Sequence, residues 1–507
     1  MELIKPMIQI KKRYSLLGVS AVLLASACNN LDVTNPNDPD IKRALSSPAD
    51  VISLAQSTVR SWYMTTVSAG PDDNGDLAPY HFGCVTADVC SANYGNFGMR
   101  FNNLEPRIPY ENSSSGGDRY VAQTPWDYNY GTIGATNDVL RAVKDGLSLG
   151  SADETEKFKE EAQFSQAASY LYLSMQFDKA FVVTENNDPA VPPELVDHAV
   201  VRDSTMRMWD DLIAASAQHD FTYAVTDLPM PDGALSSKRI NRIANTMAAM
   251  TLAYHPRNPS QSASVDWGRV AAYADKGIGT GSAGAPFDVV VQEDRNTWWS
   301  YLASYGDRQD WIRIDHRVIH RMNPAVPPEY NGNDPPQGSS ADARYTSDYT
   351  YKPPPIGDPG RGIYMQSDWF HSRYLFTAGG QSGAYTGNVP YLLAAESDLI
   401  RAEALIRSGG SLQTAADLIN RTRVVRGQLT PVTAADGTDG LLNAISYERD
   451  VELTNTSGTT LYWRRAVTDQ PIQPGTPCQI PIPAKELETL GLPIYTFGGV
   501  GNDAACQ

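Results

Sequence analysis

The sequence predicts a mainly α-helical protein with minor β structure: a degenerate tetratricopeptide-like array of helix pairs broken by two long irregular excursions. Three observations predict it. Apolar residues recur at helical spacing within 47–66, 124–278 and 389–453, as on amphipathic helices. Small residues such as Ala394, Ala402, Ala404, Ala415 and Ala416 stud the later helices, which lets pairs approach closely as in stacked repeats, although no strict period of about 34 residues is present. Between these stretches, residues 68–120 and 280–386 lose periodicity and turn to Gly, Pro, Asn and aromatics, the composition of loops.

The first element is an export signal. Lys11-Lys12-Arg13 precedes the apolar run Leu16–Leu24, and small residues lead into Cys28. Residues 1–27 therefore read as a secretory signal, the apolar run being too short for a bilayer span of about 20 residues. Two outcomes compete at its end: lipidation of Cys28, or ordinary cleavage after Ala25-Ser26-Ala27 and release. Cysteine parity favours the lipid. Five cysteines are odd, and setting Cys28 aside leaves Cys84, Cys90, Cys478 and Cys506 for an oxidising compartment. Three pairings are open to these four; Cys84–Cys90, closing a small loop, and Cys478–Cys506, pinning the tail, are the expected pair. Zinc is disfavoured because no CxxC is present. Residues 28–46, rich in Asn, Asp and Pro, read as a spacer, and 47–507 as one domain.

The helices follow in order. Ser47 caps a helix with Pro48 in its first turn and Val51, Leu54, Ala55, Val59 and Trp62 on one face. Thr124-Pro125-Trp126 opens another, through Tyr130, Ile133, Asn137, Leu140 and Val143 to Gly146. Ser151-Ala152-Asp153-Glu154 carries a capping-box signature and starts a partner running to about Phe177. Further helices are expected over 203–219, 237–255 and 265–277, and a later hairpin from Tyr391 to Gly409-Gly410 and from Ser411 to about Val425.

The net charge of −17 becomes −20 without residues 1–27, which carry Lys5, Lys11, Lys12 and Arg13 against Glu2. Such a surface repels nucleic acid and accepts neutral or cationic ligands more readily. Four local patterns mimic catalytic or metal motifs. Gly146-Leu147-Ser148-Leu149-Gly150 has nucleophile-elbow spacing but follows a helix where the elbow needs a strand, so it reads as an interhelical turn. Gly279-Thr280-Gly281-Ser282-Ala283-Gly284 has dinucleotide spacing but leads into Pro286 rather than a helix, so it reads as a loop. Asp72-Asp73-Asn74-Gly75-Asp76 places its glycine wrongly for a calcium loop, and His316 and His320 lack the adjacent glutamate of a zinc helix. No catalytic residue, metal site or cofactor is expected.

Longer patterns carry a resemblance. Glu161-Ala162-Gln163-Phe164-Ser165-Gln166-Ala167-Ala168-Ser169-Tyr170-Leu171 is followed by Leu399-Ile400-Arg401-Ala402-Glu403-Ala404, by Ala415-Ala416-Asp417-Leu418-Ile419-Asn420-Arg421-Thr422-Arg423, by Tyr447-Glu448-Arg449-Asp450-Val451-Glu452-Leu453, and by Ile480-Pro481-Ile482-Pro483-Ala484-Lys485-Glu486. With Cys28, this ordered set resembles the SusD/RagB family of outer-membrane nutrient-binding, starch-binding-protein-like lipoproteins. The chain departs from the family pattern at Gln166, at Phe177-Asp178-Lys179-Ala180 and at Thr454–Thr459. The resemblance implies a protein lipid-anchored to the outer membrane and facing the exterior, which binds a glycan or oligosaccharide and passes it to a SusC-like TonB-dependent channel. It implies binding rather than catalysis.

The excursions supply the expected binding surface. Tyr94, Phe97, Trp298, Trp299, Tyr301, Tyr305 and Trp311 are the candidates, because an indole or phenol face covers the apolar face of a sugar ring. Burying about 60 Å² at about 25 cal/mol per Å² yields about 1.5 kcal/mol, so several platforms must act together. A peptide receptor of the RagB kind would instead rely on charged and backbone contacts. A secreted glycoside hydrolase would need two carboxylates about 5 to 9 Å apart in a cleft, and a scaffold of an outer-membrane complex would bind no ligand.

Overall fold

The computed structural model describes residues 45–67, 79–93, 102–188, 190–294, 296–298, 312–355, 357, 359–374, 386–469 and 472–502. The chain divides after Ser47, and Pro48–Gln507 forms one unit. The signal, Cys28 and almost all of the spacer lie outside the described residues.

The periodic stretches fold as helices. In α1 (Pro48–Val67) the buried side chains include Val51, Ala55, Val59 and Trp62, the face read from the spacing. The first excursion contains a short helix, α2 (Pro79–Thr86), and a strand, β1 (Cys90–Ser91), where the sequence reading left an extended segment. A helix of that length is marginal alone, and here a disulfide between Cys84 and Cys90 ties it to β1. Next, α3 (Tyr120–Lys144) starts before the predicted Thr124 and carries Pro125 inside it. Proline removes one N–H from the ladder, and burial of Trp126 against Phe177, ring centroids 5.1 Å apart, helps offset the loss.

The capping box forms as read at the start of α4 (Ala152–Gln176): Glu154 N donates to Ser151 Oγ at 3.1 Å and Ser151 N to Glu154 Oε2 at 2.8 Å. Strands β2 (Lys179–Phe181) and β3 (Leu195–Asp197) make a small antiparallel pair leading into α5 (His198–Ser216). That helix begins earlier than predicted because the Asp197 side chain caps it, accepting from Ala199 N at 2.9 Å. Then come α6 (Ser237–Tyr254), α7 (Pro259–Ser262), α8 (Trp267–Asp275) and β4 (Val289–Glu293).

The proline-rich second excursion keeps its elements short: β5 (Arg313–Ile314), α9 (His316–Met322), α10 (Arg344–Ser347), β6 (Tyr349–Tyr351) and β7 (Trp369–His371). Strand β8 (Gly387–Leu392) precedes α11 (Ala394–Arg407), α12 (Leu412–Arg423) and α13 (Gly437–Glu452). Past the predicted scaffold limit at 453, α14 (Thr460–Arg464) and α15 (Ala484–Thr489) add two short helices.

Packing follows chain order. Helix α1 lies on α3 and α4, α4 on α5, α5 on α6, α6 on α8, α8 on α11, and α11 on α12 and α13. This is the stacked-pair array, with Ala167, Ala168, Ala248, Ala402 and Ala415 fully buried where helices meet. No helix among the described residues is long and apolar enough to cross a membrane.

Helix α4 runs through the middle of the array, which buries both Glu160 and Glu161. Glu160 accepts from Tyr223 Oη and His219 Nδ1, each at 2.5 Å. Glu161 is different: no N–H or O–H donor among the described residues reaches either of its oxygens. Burial raises its pKa well above the ordinary value of 4.5, and the neighbouring Asp227 carboxylate raises it further. Burial beside a second carboxylate thus favours the protonated form of Glu161 over the charged one. A folded pKa above the unfolded one gives stability that is complete below pH 4.5 and is lost as pH rises towards the folded value. In urea titrations, Glu161→Gln, which keeps a permanent donor to Asp227, should therefore gain on the wild type as pH rises from 4.5 to neutrality. An unchanged difference across that range would show that Glu161 does not hold the proton.

Candidate functional site

The segments that carry the aromatic candidates leave the described fold at linked points. Strand β1 pairs antiparallel with β5, Cys90 opposite Ile314 and Ser91 opposite Arg313. That pairing sets Asn93, where the segment bearing Tyr94 and Phe97 begins, close to Ile312, where the segment bearing Trp299, Tyr301, Tyr305 and Trp311 ends. Strand β4 pairs with β8, Glu293 opposite Gly387, which joins the start of that second segment to the end of residues 375–385. The last turns of α1 complete the base. Tyr63 Oη donates to Glu293 Oε1 at 2.8 Å, and Arg60 Nε to Thr297 O at 2.6 Å. Asp294 Oδ1 accepts from the backbone N–H of Asn296, Thr297 and Trp298 at 2.7–2.9 Å.

Six of the seven candidates (Tyr94, Phe97, Trp299, Tyr301, Tyr305 and Trp311) lie outside the described residues, as do Asp72–Asp76 and Cys506. The seventh is placed inside the protein. Trp298 is only 4 % exposed and packs on Tyr63 with ring centroids 5.5 Å apart, so it anchors the segment and offers no platform to a ligand. Cys478 is disulfide-bonded, its partner lying outside the described residues.

Beneath the base lies a polar and aromatic cluster that the sequence reading missed. Trp369 of β7 packs against Tyr351 at 4.8 Å and His316 at 5.2 Å. The adjoining Asp368 is fully buried, and burial together with the Asp334 carboxylate pushes its pKa up to about 7. Tyr330 Oη donates to Asp334 Oδ1 at 2.8 Å. The aromatic alternation of Tyr349-Thr350-Tyr351 against Trp369-Phe370-His371 is the local signal for this hairpin.

The motif look-alikes resolve as packing. Gly146–Gly150 is the turn between α3 and α4. In Gly279–Gly284 a Cβ on Gly281 would stand 2.0 Å from Asp275 O, and one on Gly279 2.6 Å from Asp398 Oδ1. The Arg242 guanidinium fills this loop, donating to Gly277 O at 2.9 Å and Ala285 O at 2.7 Å, where a dinucleotide loop would receive phosphate. His316 is buried against Tyr330 and Trp369, and His320 Nδ1 is 2.6 Å from Val326 O. No group of three or more His, Cys, Asp or Glu side chains among the described residues is arranged to hold a metal ion.

The longer motifs build an internal ion-pair frame. Arg449 Nη1 donates to Glu403 Oε2 at 2.7 Å, and Arg344, wholly buried, meets Glu448 at 2.7 Å, Glu452 at 3.2 Å and Asp342 at 2.8 Å. Arg426 and Arg373 close on Glu452 from its other side at 2.8 and 2.9 Å. These residues join α11, the turn after α12, α13 and the second excursion; they hold the fold.

Residues 265–456 match the model of the SusD family. Among solved structures, the chain is similar to a surface glycan-binding protein A from Bacteroides uniformis, with TM-score 0.55 and 15% identity over 80% of this chain and 86% of that one. It is also similar to a SusD superfamily protein from Parabacteroides distasonis, at 0.60 and 12% over 87% and 98%. A SusD superfamily protein from Bacteroides vulgatus gives 0.60 and 14% over 88% and 97%. No curated protein matches the sequence. At these identities the structural likeness is one of fold.

Proposed function

We propose, from the match of residues 265–456 to the SusD family model and a fold similar to SusD superfamily structures over most of the chain, that this protein is a glycan receptor of the cell surface belonging to that family. It is tethered to the outer membrane through a lipid on Cys28, captures glycans or oligosaccharides, and hands them to a SusC-like TonB-dependent channel. It acts by binding and release, without bond cleavage. The observation that carries this reading is the shared base: the described residues flanking the segments that bear six candidate aromatics are tied, β1 to β5, β4 to β8, and Glu293 of β4 to Tyr63 of α1. Flanks tied in this way allow stacking platforms to act together.

Affinity electrophoresis through a panel of polysaccharides tests it. The wild type is expected to be retarded by at least one glycan, with retardation weakened in Trp299→Ala and Trp311→Ala. Loss of one platform of about 1.5 kcal/mol corresponds to roughly tenfold in Kd. Unchanged retardation in both variants would overturn the site, cleavage of the polysaccharide the class, and retention by peptides instead of glycans the ligand. Cys28→Ala should release the protein from the membrane fraction.

A further inference from the structure

A cavity of about 390 Å³ opens between α3, α4, α5 and residues 182–187, the segment that follows β2. Small-molecule sites typically span about 300–1,000 Å³. None of its lining residues belongs to the elements that form the base of the aromatic segments.

One wall is a face of α4. Gln163 and Gln166, which share that face by their spacing, both line the cavity. Gln163 Oε1 is buried, and no donor among the described residues reaches it. A buried acceptor without a donor bears the full cost of its lost water, so in a cavity wall it calls for a donor from inside the cavity. Gln166 is only 4 % exposed and is one of the positions at which the chain departs from the family pattern. Its Nε2 donates to Asn137 Oδ1 at 2.7 Å, and Asn137 Nδ2 donates in turn to Val183 O at 3.0 Å. These bonds orient both amides, and the group of Gln166 left to meet a ligand is its carbonyl oxygen.

The facing wall supplies donors. Asn187 Oδ1 accepts from Thr184 N at 2.8 Å and from Thr184 Oγ1 at 3.1 Å, while Asn187 N donates to Thr184 O at 3.1 Å. That turn leaves Asn187 Nδ2 to donate outward. Behind it, Tyr170 Oη accepts from Val183 N and donates to Val183 O, both at 2.7 Å, so the wall is held in place before a ligand arrives and less ordering is needed on binding. Arg207, exposed on α5, adds further donors and is itself steadied by donation from Nη2 to Ser204 Oγ at 2.8 Å. Between the walls lie the apolar side chains of Leu140, Val182 and Met208.

The charges here do not select an ion. Glu185 and Asp211 stand against Arg207; Asp211 and Arg207 are exposed, and Glu185 is partly buried with its Oε1 accepting from Asn186 Nδ2 at 2.6 Å. Water screens such groups. An anion has nothing to donate to the glutamine carbonyls, and an ammonium has nothing to accept from Asn187 or Arg207. A hydroxyl does both.

We propose that this cavity is a second ligand site, apart from the aromatic segments, and that it takes one neutral sugar unit. The hydroxyls donate to Gln163 and Gln166 and accept from Asn187 and Arg207, and the C–H face of the ring lies on Leu140, Val182 and Met208. A ligand of that size makes few contacts, so its Kd is expected at about the millimolar level.

Saturation-transfer NMR titration of the full chain with glucose, galactose, N-acetylglucosamine, glucosamine and glucuronate tests the site. At least one of the neutral sugars is expected to bind. Gln163→Met keeps the bulk and removes the buried acceptor, so it should weaken that binding by about tenfold. The same change relieves an unsatisfied group, and the midpoint of thermal unfolding should hold or rise; a fall would make the glutamine structural and overturn its role. Binding should persist in a Trp299→Ala, Trp311→Ala double variant, which separates failure here from failure of the glycan site. Its loss there would assign the sugar to the aromatic segments. Tighter binding of glucosamine or glucuronate than of every neutral sugar would overturn the neutral occupant, and no binding of any of them by the wild type would overturn the site.

Discussion

Arg344→Met is expected to destabilise the protein by about 3–5 kcal/mol, the cost typical of removing one partner from a buried ion pair. Arg344 sits with Asp342, Glu448 and Glu452 at no more than 2 % side-chain exposure on any of the four. Arg426 and Arg373 still reach Glu452 in the variant, but Glu448 and Asp342 lose their main partner. Burial already raises the Glu448 pKa against the pull of Arg344, so without the arginine it rises further. The deficit should therefore shrink as pH falls and the carboxyls protonate. Urea denaturation at pH 7 and pH 5 measures both effects, and Arg344→Met combined with Glu448→Gln should recover part of the loss. A variant as stable as the wild type at pH 7 would mean that the frame contributes nothing net.

Trp298→Ala is the second large effect, and it separates packing from binding. Truncating a buried tryptophan typically costs about 3–5 kcal/mol. Here the ring leaves a hole beside Tyr63, whose hydroxyl holds Glu293 at the start of the segment bearing the remaining candidates. The midpoint of thermal unfolding should fall, and glycan retardation should weaken with it because the base of the segment loosens. Trp299→Ala is expected to weaken retardation with little change in the midpoint. If Trp298→Ala left the midpoint unchanged and abolished retardation, the ring would belong to the ligand surface after all.

Trp298 shows where sequence reading stops. It stands in a stretch without periodicity beside a second tryptophan, so nothing local marks it as an anchor and not a platform. The anchor is recognised only through Tyr63, which is 235 residues earlier in the chain. Glu448, Arg449 and Glu452 were legible as a family pattern, but their partners Arg344, Glu403 and Arg373 come from three other segments. The same holds for His198 and His255, which meet across 57 residues. Short elements such as α2 escaped because tertiary ties, here the Cys84–Cys90 disulfide, supply what an eight-residue helix lacks by itself.

The sequence by itself determined the helical class, the order of the long helices, the Ser151 capping box, the two excursions and the family resemblance. All of these are written in local spacing, where side chains three and four residues apart share a helix face. The tertiary structure alone decided that Trp298 is core and that the motif charges pair internally, with Arg344 buried among Asp342, Glu448 and Glu452. Each depends on residues far apart in the chain, and burial and charge balance exist only after the chain has closed on itself.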